Sequence, residues 1–554
     1  MALVLLSSAG PDATAQGPGN GSATVSGAAP APVAGGGSVD LGPRRPGGGR
    51  VPQHFVGFSI EWSLIERYMG EAARPAFANL LRNLGTGELR IGGSSQDLMP
   101  FDPAAANTNR VITPADLTAV RATLDAANAK DRRRRVPSWG TILGTALAPP
   151  DEERPWAGPE HARAFVAQGV RPAFAGAERA VAGIGLGNEP DISYRYDLPR
   201  YLADLAAYRD ADVTGSLPIA APSTSETIAP WQAIEARTVP TRFFWEWPAI
   251  LDVIAPAMTA RRASSGYGVL ATDHFYPAAR GCTTDAYRCA TIERLLSDER
   301  LQNLAYNTYL HAGLARERGL DYRLQEVSSA AGRGVNGVSN VAAAATWAIA
   351  MMFEAACPQP PQAPGANAEC GIGAVGVNLH NAEVNEFFAP EEGNAFYNAI
   401  DYDPSPAMGA PAARPPYYAL LLFSHFAQGR DGLRPVALSP AGSAAAPGAA
   451  PIRAWQLDAG RAGRRLFVAN MSGAAQSVAL AVPEARYKIS RMTPHDPTGA
   501  GRTLDAPEVR IDGRAVAAGG RWPGFAPTGG RIAKGHLRLV VGPGEVAVVT
   551  LRDR

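Results

Sequence analysis

Phe55-Val-Gly-Phe-Ser-Ile-Glu-Trp-Ser63 is the stretch that decides the fold class. It reads as a short buried strand that runs straight into an acidic and an aromatic residue. A doubly wound open sheet usually carries a Gly-rich phosphate turn after its first strand, and no such turn stands here. A closed parallel barrel instead projects polar side chains from the ends of its strands. Outward from this segment, strand-like runs recur at Glu88–Gly92, Val136–Leu143, Ile184–Gly187, Ile219–Ala221, Val269–Phe275, Tyr322–Val327 and Ala374–Leu379. Amphipathic or apolar helical stretches alternate with them at 74–84, 114–129, 160–174, 198–211, 250–258, 291–318, 338–356 and 417–427. Repeated β-then-α units in one chain predict a (β/α)8 TIM barrel over residues 51–429.

After Gly429 the texture changes. Short β-rich runs (Ile452–Leu457, Arg465–Asn470, Ser477–Val482, Leu537–Val541 and Glu545–Leu551) are separated by Gly/Pro-rich turns. They predict a C-terminal all-β sandwich domain over 430–554. Residues 1–50 read as a signal-like segment followed by a disordered linker. Met1–Leu6 is apolar, Ala13-Thr14-Ala15 has the small residues of a cleavage site, and 16–50 is a Gly/Ala/Pro/Ser tract.

The 554 residues carry 52 basic and 51 acidic side chains, a net charge of +1. That balance argues against a nucleic-acid partner, and Arg132–Arg135, lying before the third strand, reads as a solvated loop. No apolar run is long enough for a membrane span. The cysteines fall into two local pairs. Disulfides Cys282–Cys289 and Cys357–Cys370 are the preferred reading, with a buried free thiol at Cys357 as the alternative. With the N-terminus, they point to a periplasmic or secreted protein. The histidines form no metal-binding array, so no metal and no cofactor are expected.

The chemistry should lie at the strand ends. The fourth strand ends in Gly187-Asn-Glu-Pro-Asp191 and the seventh in Leu324-Gln-Glu-Val-Ser-Ser329. Glu189 and Glu326 then face each other across the barrel mouth. Two opposed carboxylates are the minimum equipment for glycoside hydrolysis, and Asn188 is placed to hold a sugar 2-OH. Either glutamate alone would more simply be a solvated residue; the pair is what favours catalysis.

Asn-Glu-Pro on the fourth strand and Glu on the seventh resemble the large clan of retaining (β/α)8 glycosidases. Within it the chain is similar to family 79 of the glycoside hydrolases, the β-glucuronidase and heparanase group. Phe55–Trp62, Leu89–Ser95, Gly187–Asp191, His274-Phe-Tyr276, Glu326–Ala330 and Gly376–His380 carry the resemblance, in order along the chain. The resemblance implies that Glu189 is the general acid/base and Glu326 the nucleophile, with carboxyl groups about 5–5.5 Å apart. Their mutual repulsion would favour a proton on Glu189. It also implies sugar contacts from Glu61 and Ser94, and a phenol from Tyr276 to the nucleophile, with His274 either buttressing it or structural. Trp62 is either a stacking wall or core.

Uronate recognition in that family uses a Gly-rich turn and tyrosine hydroxyls. Here Gly332-Arg333-Gly334 supplies the turn, Ala330-Ala331 stands where a tyrosine often does, and Arg333 is the compensating group. Asn378 lies near the second recognition segment, where no tyrosine is evident. The expected partner is a glycan or glucuronide. The alternatives are an endo-acting heparanase-like enzyme, a retaining glycosidase for neutral sugars and, from another class, a non-catalytic glycan-binding protein.

Overall fold

The computed structural model describes residues 34–552 except 42–46, 107–109, 130–135, 148–153, 194–195, 263–265, 282–286, 361–368, 383–394, 403–408, 438, 441–451, 459, 461–462, 500 and 533. Eight strands close into a barrel: β1 Val56–Glu61, β2 Gly87–Gly92, β3 Trp139–Thr145, β4 Val181–Leu186, β5 Ile219–Ser225, β6 Leu270–Phe275, β7 Asp321–Val327 and β8 Gly376–Asn381. Each pairs in parallel with its neighbours, and β8 returns to β1. Nearly every strand residue is buried, as expected when helices cover the outside and side chains fill the inside.

The helices begin where local chemistry dictates. Pro114–Ala127 starts at a capping box, in which Thr113 and Asp116 satisfy each other's backbone N–H groups, with proline in the first turn. Leu198–Asp210 is capped by Asp197, whose side chain accepts from Arg200 N, again with proline in the first turn. The stretch read as one helix over 160–174 is broken by a π-helical turn at Phe165–Val170. β5 continues four residues beyond the apolar run that signalled it, through Pro222-Ser-Thr-Ser225. Those residues are mostly polar because they approach the barrel mouth, so hydrophobicity fades there while pairing does not.

The C-terminal region packs two sheets. The larger runs in the order Glu508–Ile511, Arg486–His495, Val546–Arg552, Arg464–Asn470, Ile452–Asp458, Asp431–Pro435, Gly49–Arg50, and Thr528–Arg531 also pairs with Arg486–His495. The smaller contains Ser439–Pro440, Ala34–Asp40, Gln476–Ala481 and His536–Val541. Alternation assigns the faces. Ala454, Leu466 and Val468 join Val478, Leu480 and Leu539 between the sheets. Trp455 and Phe467 point the other way and meet Phe353 of helix Ala342–Ala356, with ring centroids 4.7 and 4.8 Å apart. The larger sheet is therefore buried on both faces and welded to the barrel.

One expectation needs revision. The tract read as a disordered linker up to residue 50 supplies strand Ala34–Asp40, parallel to Gln476–Ala481, and Gly49–Arg50, antiparallel to Asp431–Pro435. Main-chain pairing needs no apolar side chains, so a Gly-rich strand escapes a reading by composition; Val39 enters the core. The Cys357–Cys370 disulfide is present, which removes the free-thiol alternative. The signal-like segment, Arg132–Arg135 and Cys282 of the expected Cys282–Cys289 pair lie outside the described residues. Among the described residues no helix is long and apolar enough to cross a membrane.

Candidate active site

The mouth of the barrel gathers its titratable groups at the C-terminal ends of the strands. After β4 the chain turns sharply. Gly187 has φ 76° and Glu189 φ 46°, and a Cβ on Gly187 would lie 2.8 Å from that of Leu147. A non-glycine residue in this left-handed region is strained and needs outside support. Glu189 finds it where its N–H donates to Ser223 O at 2.9 Å. Asn188 N–H likewise donates to Asp97 at 2.9 Å. The turn thereby aims Glu189 inward.

Glu326 emerges from β7 opposite. One carboxylate oxygen of each glutamate and a ring nitrogen of His274 all lie within 4.8 Å of one another. The two carboxyl groups therefore face one small space at the mouth. Glu326 is tightly held. Arg90 donates to Oε2 at 2.6 Å, and Tyr276 donates its hydroxyl to Oε1 at 2.6 Å. Arg90 also donates to Asn188 Oδ1 at 2.6 Å, to Ser59 at 3.1 Å and to Gln96 at 3.2 Å. One guanidinium thus ties the nucleophile candidate to the residue preceding Glu189.

The electrostatics separate the two acids. Burial pushes the Glu189 carboxyl up, against the pull of Arg242, Arg90 and His380. Glu326 has the Arg90 guanidinium in direct contact, whereas among the described residues no ion pair joins Glu189 to an arginine. His274 stands between them, Nδ1 3.1 Å from Glu189 Oε1 and 3.8 Å from Glu326 Oε2. Burial pushes it down to about 4, although Glu326 pulls the other way, so the ring is neutral near pH 7. On β8, His380 lies 3.7 Å from Glu326 and 3.5 Å from Glu61. Burial would lower it, but those two carboxylates raise it.

Not every expected residue occupies its expected place. Glu61 is buried in the wall, its oxygens accepting from Ser94 N, Ser95 N and the Ser95 hydroxyl at 3.2, 2.8 and 2.5 Å. Burial alone would raise it, yet His380 and Ser95 hold it lowered. Ser94 is half-buried on the same turn. Asn378 is not at the mouth. It lies fully buried one layer below, accepting from Arg323 at 2.6 Å and donating to Glu88 O and Phe58 O. Inward positions alternate along a strand, so it is His380, two residues on, that reaches the mouth. Trp62 is core, its indole donating to Gly144 O at 2.9 Å. Trp231, Phe243 and Trp247 pack on Tyr306, Tyr201 and His311.

The turn after Glu326 has left-handed backbone at three successive residues, Gly332, Arg333 and Gly334, with φ 75°, 69° and 77°. Arg333 is buried, and its carbonyl accepts from Phe396 N at 2.7 Å. This brings in Tyr397, which sequence reasoning missed. It stacks 6.1 Å from Tyr276, lies 5.8 Å from His380 and interacts with Arg333. Arg90 and His380 were also missed as site residues, although both lie inside segments that carried the resemblance.

The chain thus closes a parallel eight-stranded barrel, adds a β-sandwich, and brings two glutamates together at the barrel mouth. No family model matches the chain, and no curated protein matches it. Among solved structures it is similar to a 4-O-α-L-rhamnosyl-β-D-glucuronidase from Fusarium oxysporum 12S, with TM-score 0.64 and 15% identity over 93% of this chain and 100% of that one. It is also similar to a family 51 arabinofuranosidase from Xanthomonas axonopodis pv. citri, at 0.59 and 11% over 93% and 99%. A family 51 α-L-arabinofuranosidase from Bifidobacterium longum follows at 0.56 and 14%, over 94% and 100%. At such identities the likeness speaks for the fold.

Proposed function

We propose that the chain is an exported retaining glycoside hydrolase that removes terminal β-linked glucuronic acid. The observation that carries this reading is the approach of Glu189 and Glu326 to within 4.8 Å. Glu326, the nucleophile, attacks the anomeric carbon while Glu189 gives its proton to the departing glycosidic oxygen. Esterification removes the charge of Glu326, so Glu189 ionises more readily and next takes a proton from the water that attacks the same carbon. The bond to Glu326 then breaks and configuration is retained. Arg90 and Tyr276 stabilise the carboxylate as it leaves.

Preference for a uronic acid is supported by the Gly332-Arg333-Gly334 turn, by the buried Arg333 and by Tyr397, which supplies the phenol that the turn itself lacks. The resemblance to family 79 and the glucuronidase among the similar structures agree with it. Export is supported by the Cys357–Cys370 disulfide. A panel of aryl β-glycosides differing at C5, run beside heparan sulfate, tests the reading. Cleavage of the aryl glucuronide is expected; activity on neutral sugars alone would remove the uronate claim, and on heparan sulfate alone the exo claim. Glu326→Gln should abolish covalent labelling by a cyclophellitol-type inhibitor, and persistent labelling would place the nucleophile elsewhere.

A further inference from the structure

We propose that the C-terminal sandwich carries a second binding site, away from the barrel mouth, for a polyanionic glycan bearing carboxylate or sulfate groups. A row of cations on the larger sheet forms the site; the choice of a glycan as its occupant rests on the glycosidase reading.

The row follows from strand register. Arg486 stands directly opposite Arg531 on one side and Arg552 on the other. Partners across antiparallel strands share a face, so three guanidinium groups leave the sheet side by side, on strands about 4.8 Å apart. Lys488, two residues on from Arg486, joins them on that face. All four are exposed. Tyr487 and Ile489 turn instead to the interior of the sandwich. Farther along the cationic face, Met492, Phe467 and Val548 are buried in the core shared with the barrel. The strand ends thus project past the part that the barrel covers. Thr550 lies in register between Lys488 and the half-buried Arg465, which extends the row inward.

Like charges placed directly opposite one another weaken a sheet, and no carboxylate offsets these. Among the described residues none of Arg430, Arg465, Arg486, Lys488, Arg531 and Arg552 forms an ion pair. The acids nearest in the chain are engaged elsewhere: Asp431 faces Arg50 at 3.6 Å, and Glu484 is buried in its fork with Arg464. Burial, together with repulsion from Arg430 and Arg552, pushes the Arg465 guanidinium down to about 10. An anion laid across the row would relieve this crowding.

The place of the row in the fold separates it from catalysis. Arg465 donates to Phe426 O, at the C-terminal end of helix Pro415–Phe426. Arg430 O accepts from Val51 N, and Gln428 Oε1 from the N–H of Val56, the first residue of β1. This is the end of the barrel opposite Glu189 and Glu326. The chemistry of the face selects its occupant. Arginine forks present paired N–H donors to the oxygens of an anionic group. A single-stranded nucleic acid needs exposed rings on which to stack its bases, and a membrane needs an apolar face to bury. Among the described residues no exposed large apolar side chain lies on this face.

The test uses the intact chain and the combined change Arg486→Gln, Arg531→Gln and Arg552→Gln. Affinity electrophoresis with heparin, polygalacturonate, neutral dextran and duplex DNA, at low and raised salt, reads binding. Wild type should be retarded by heparin, less so as salt rises, and not by dextran. Retardation by polygalacturonate as well would mark carboxylate as sufficient; retardation by heparin alone would mark sulfate as required. The glutamine variant should bind at least ~10-fold more weakly, while the lysine variant at the same three positions, which keeps the charge, retains most of the binding. kcat/KM for an aryl β-glucuronide should be unchanged in both. Should the triple change disturb the sheet, Arg486→Gln alone removes the middle charge and should still weaken binding several-fold. Undiminished binding by the glutamine variants, binding to DNA as tight as to heparin, or no binding of wild type to either acidic glycan overturns the inference. A chain that binds the acidic glycan through these arginines yet cleaves no glycoside would remove the glycosidase reading and leave the site in place.

Discussion

Removing the Tyr276 hydroxyl should affect the two halves of the reaction unequally. The phenol donates to Glu326 Oε1 at 2.6 Å, in a buried setting next to Tyr397. A hydrogen bond to a charged group contributes about 1.5–3 kcal/mol, which corresponds to roughly a 10- to 150-fold change in a rate constant. In the first step Glu326 is the attacking group, and losing a donor makes it more nucleophilic. In the second it is the leaving group, and the same loss makes it a poorer one. Tyr276→Phe should therefore slow deglycosylation by about 10- to 150-fold while glycosylation changes little. With an aryl glucuronide whose phenol leaves readily, rapid mixing should show a burst of aryl alcohol close to one per enzyme, and kcat and KM should fall together. Equal slowing of both phases, or a lower kcat with KM unchanged and no burst, would refute the assignment of Glu326 as a nucleophile held by this phenol.

Three other outcomes follow from the geometry. Because burial raises Glu189 and the acid must carry its proton, activity on poor leaving groups should fall as pH rises through that raised value; Glu189→Ala should erase this alkaline limb in a kcat/KM profile while sparing activated aryl substrates. Arg464→Met should destabilise the protein by about 3–5 kcal/mol in urea unfolding, because it strands Glu484. The two side chains are fully buried and joined by a fork of 2.6 and 2.8 Å; pairing the change with Glu484→Leu should recover most of the loss. Cys370→Ser opens a loop between cysteines 13 residues apart and should cost about 3 kcal/mol, read as a lower Tm that reducing agent lowers further by less than it lowers the wild type's.

The barrel was legible because each of its strands is a short apolar run bounded by Gly, Pro or a polar strand end. Glu189 and Glu326 were placed at the mouth for a related reason: a carboxylate at or just past the C-terminal end of a barrel strand lies where the strands open. Arg90 was harder to see. A buried arginine within a strand resembles any salt-bridged charge until its partners on β4 and β7 are known, and those lie far away in the chain. The signal was present in Glu88-Leu-Arg90, two charges at spacing two on one inward face, of which the lower pairs with Arg323 at 2.8 Å. Asn378 misled because β8 runs two residues beyond its apolar stretch, shifting the mouth to His380. Tyr397 follows a long polar stretch after β8, so no strand-end rule points to it. Strand Ala34–Asp40 is recognised only through the partner that pairs with it.

That strand also bears on the order in which the molecule comes together. Ala34–Asp40 leaves the ribosome ahead of every barrel strand, yet it lies between Ser439–Pro440 and Gln476–Ala481. Those partners are translated only after the whole barrel, some four hundred residues later, so this early strand must be among the last to settle. Until then the smaller sheet lacks an interior member, and its neighbours present open backbone to whatever else is nearby.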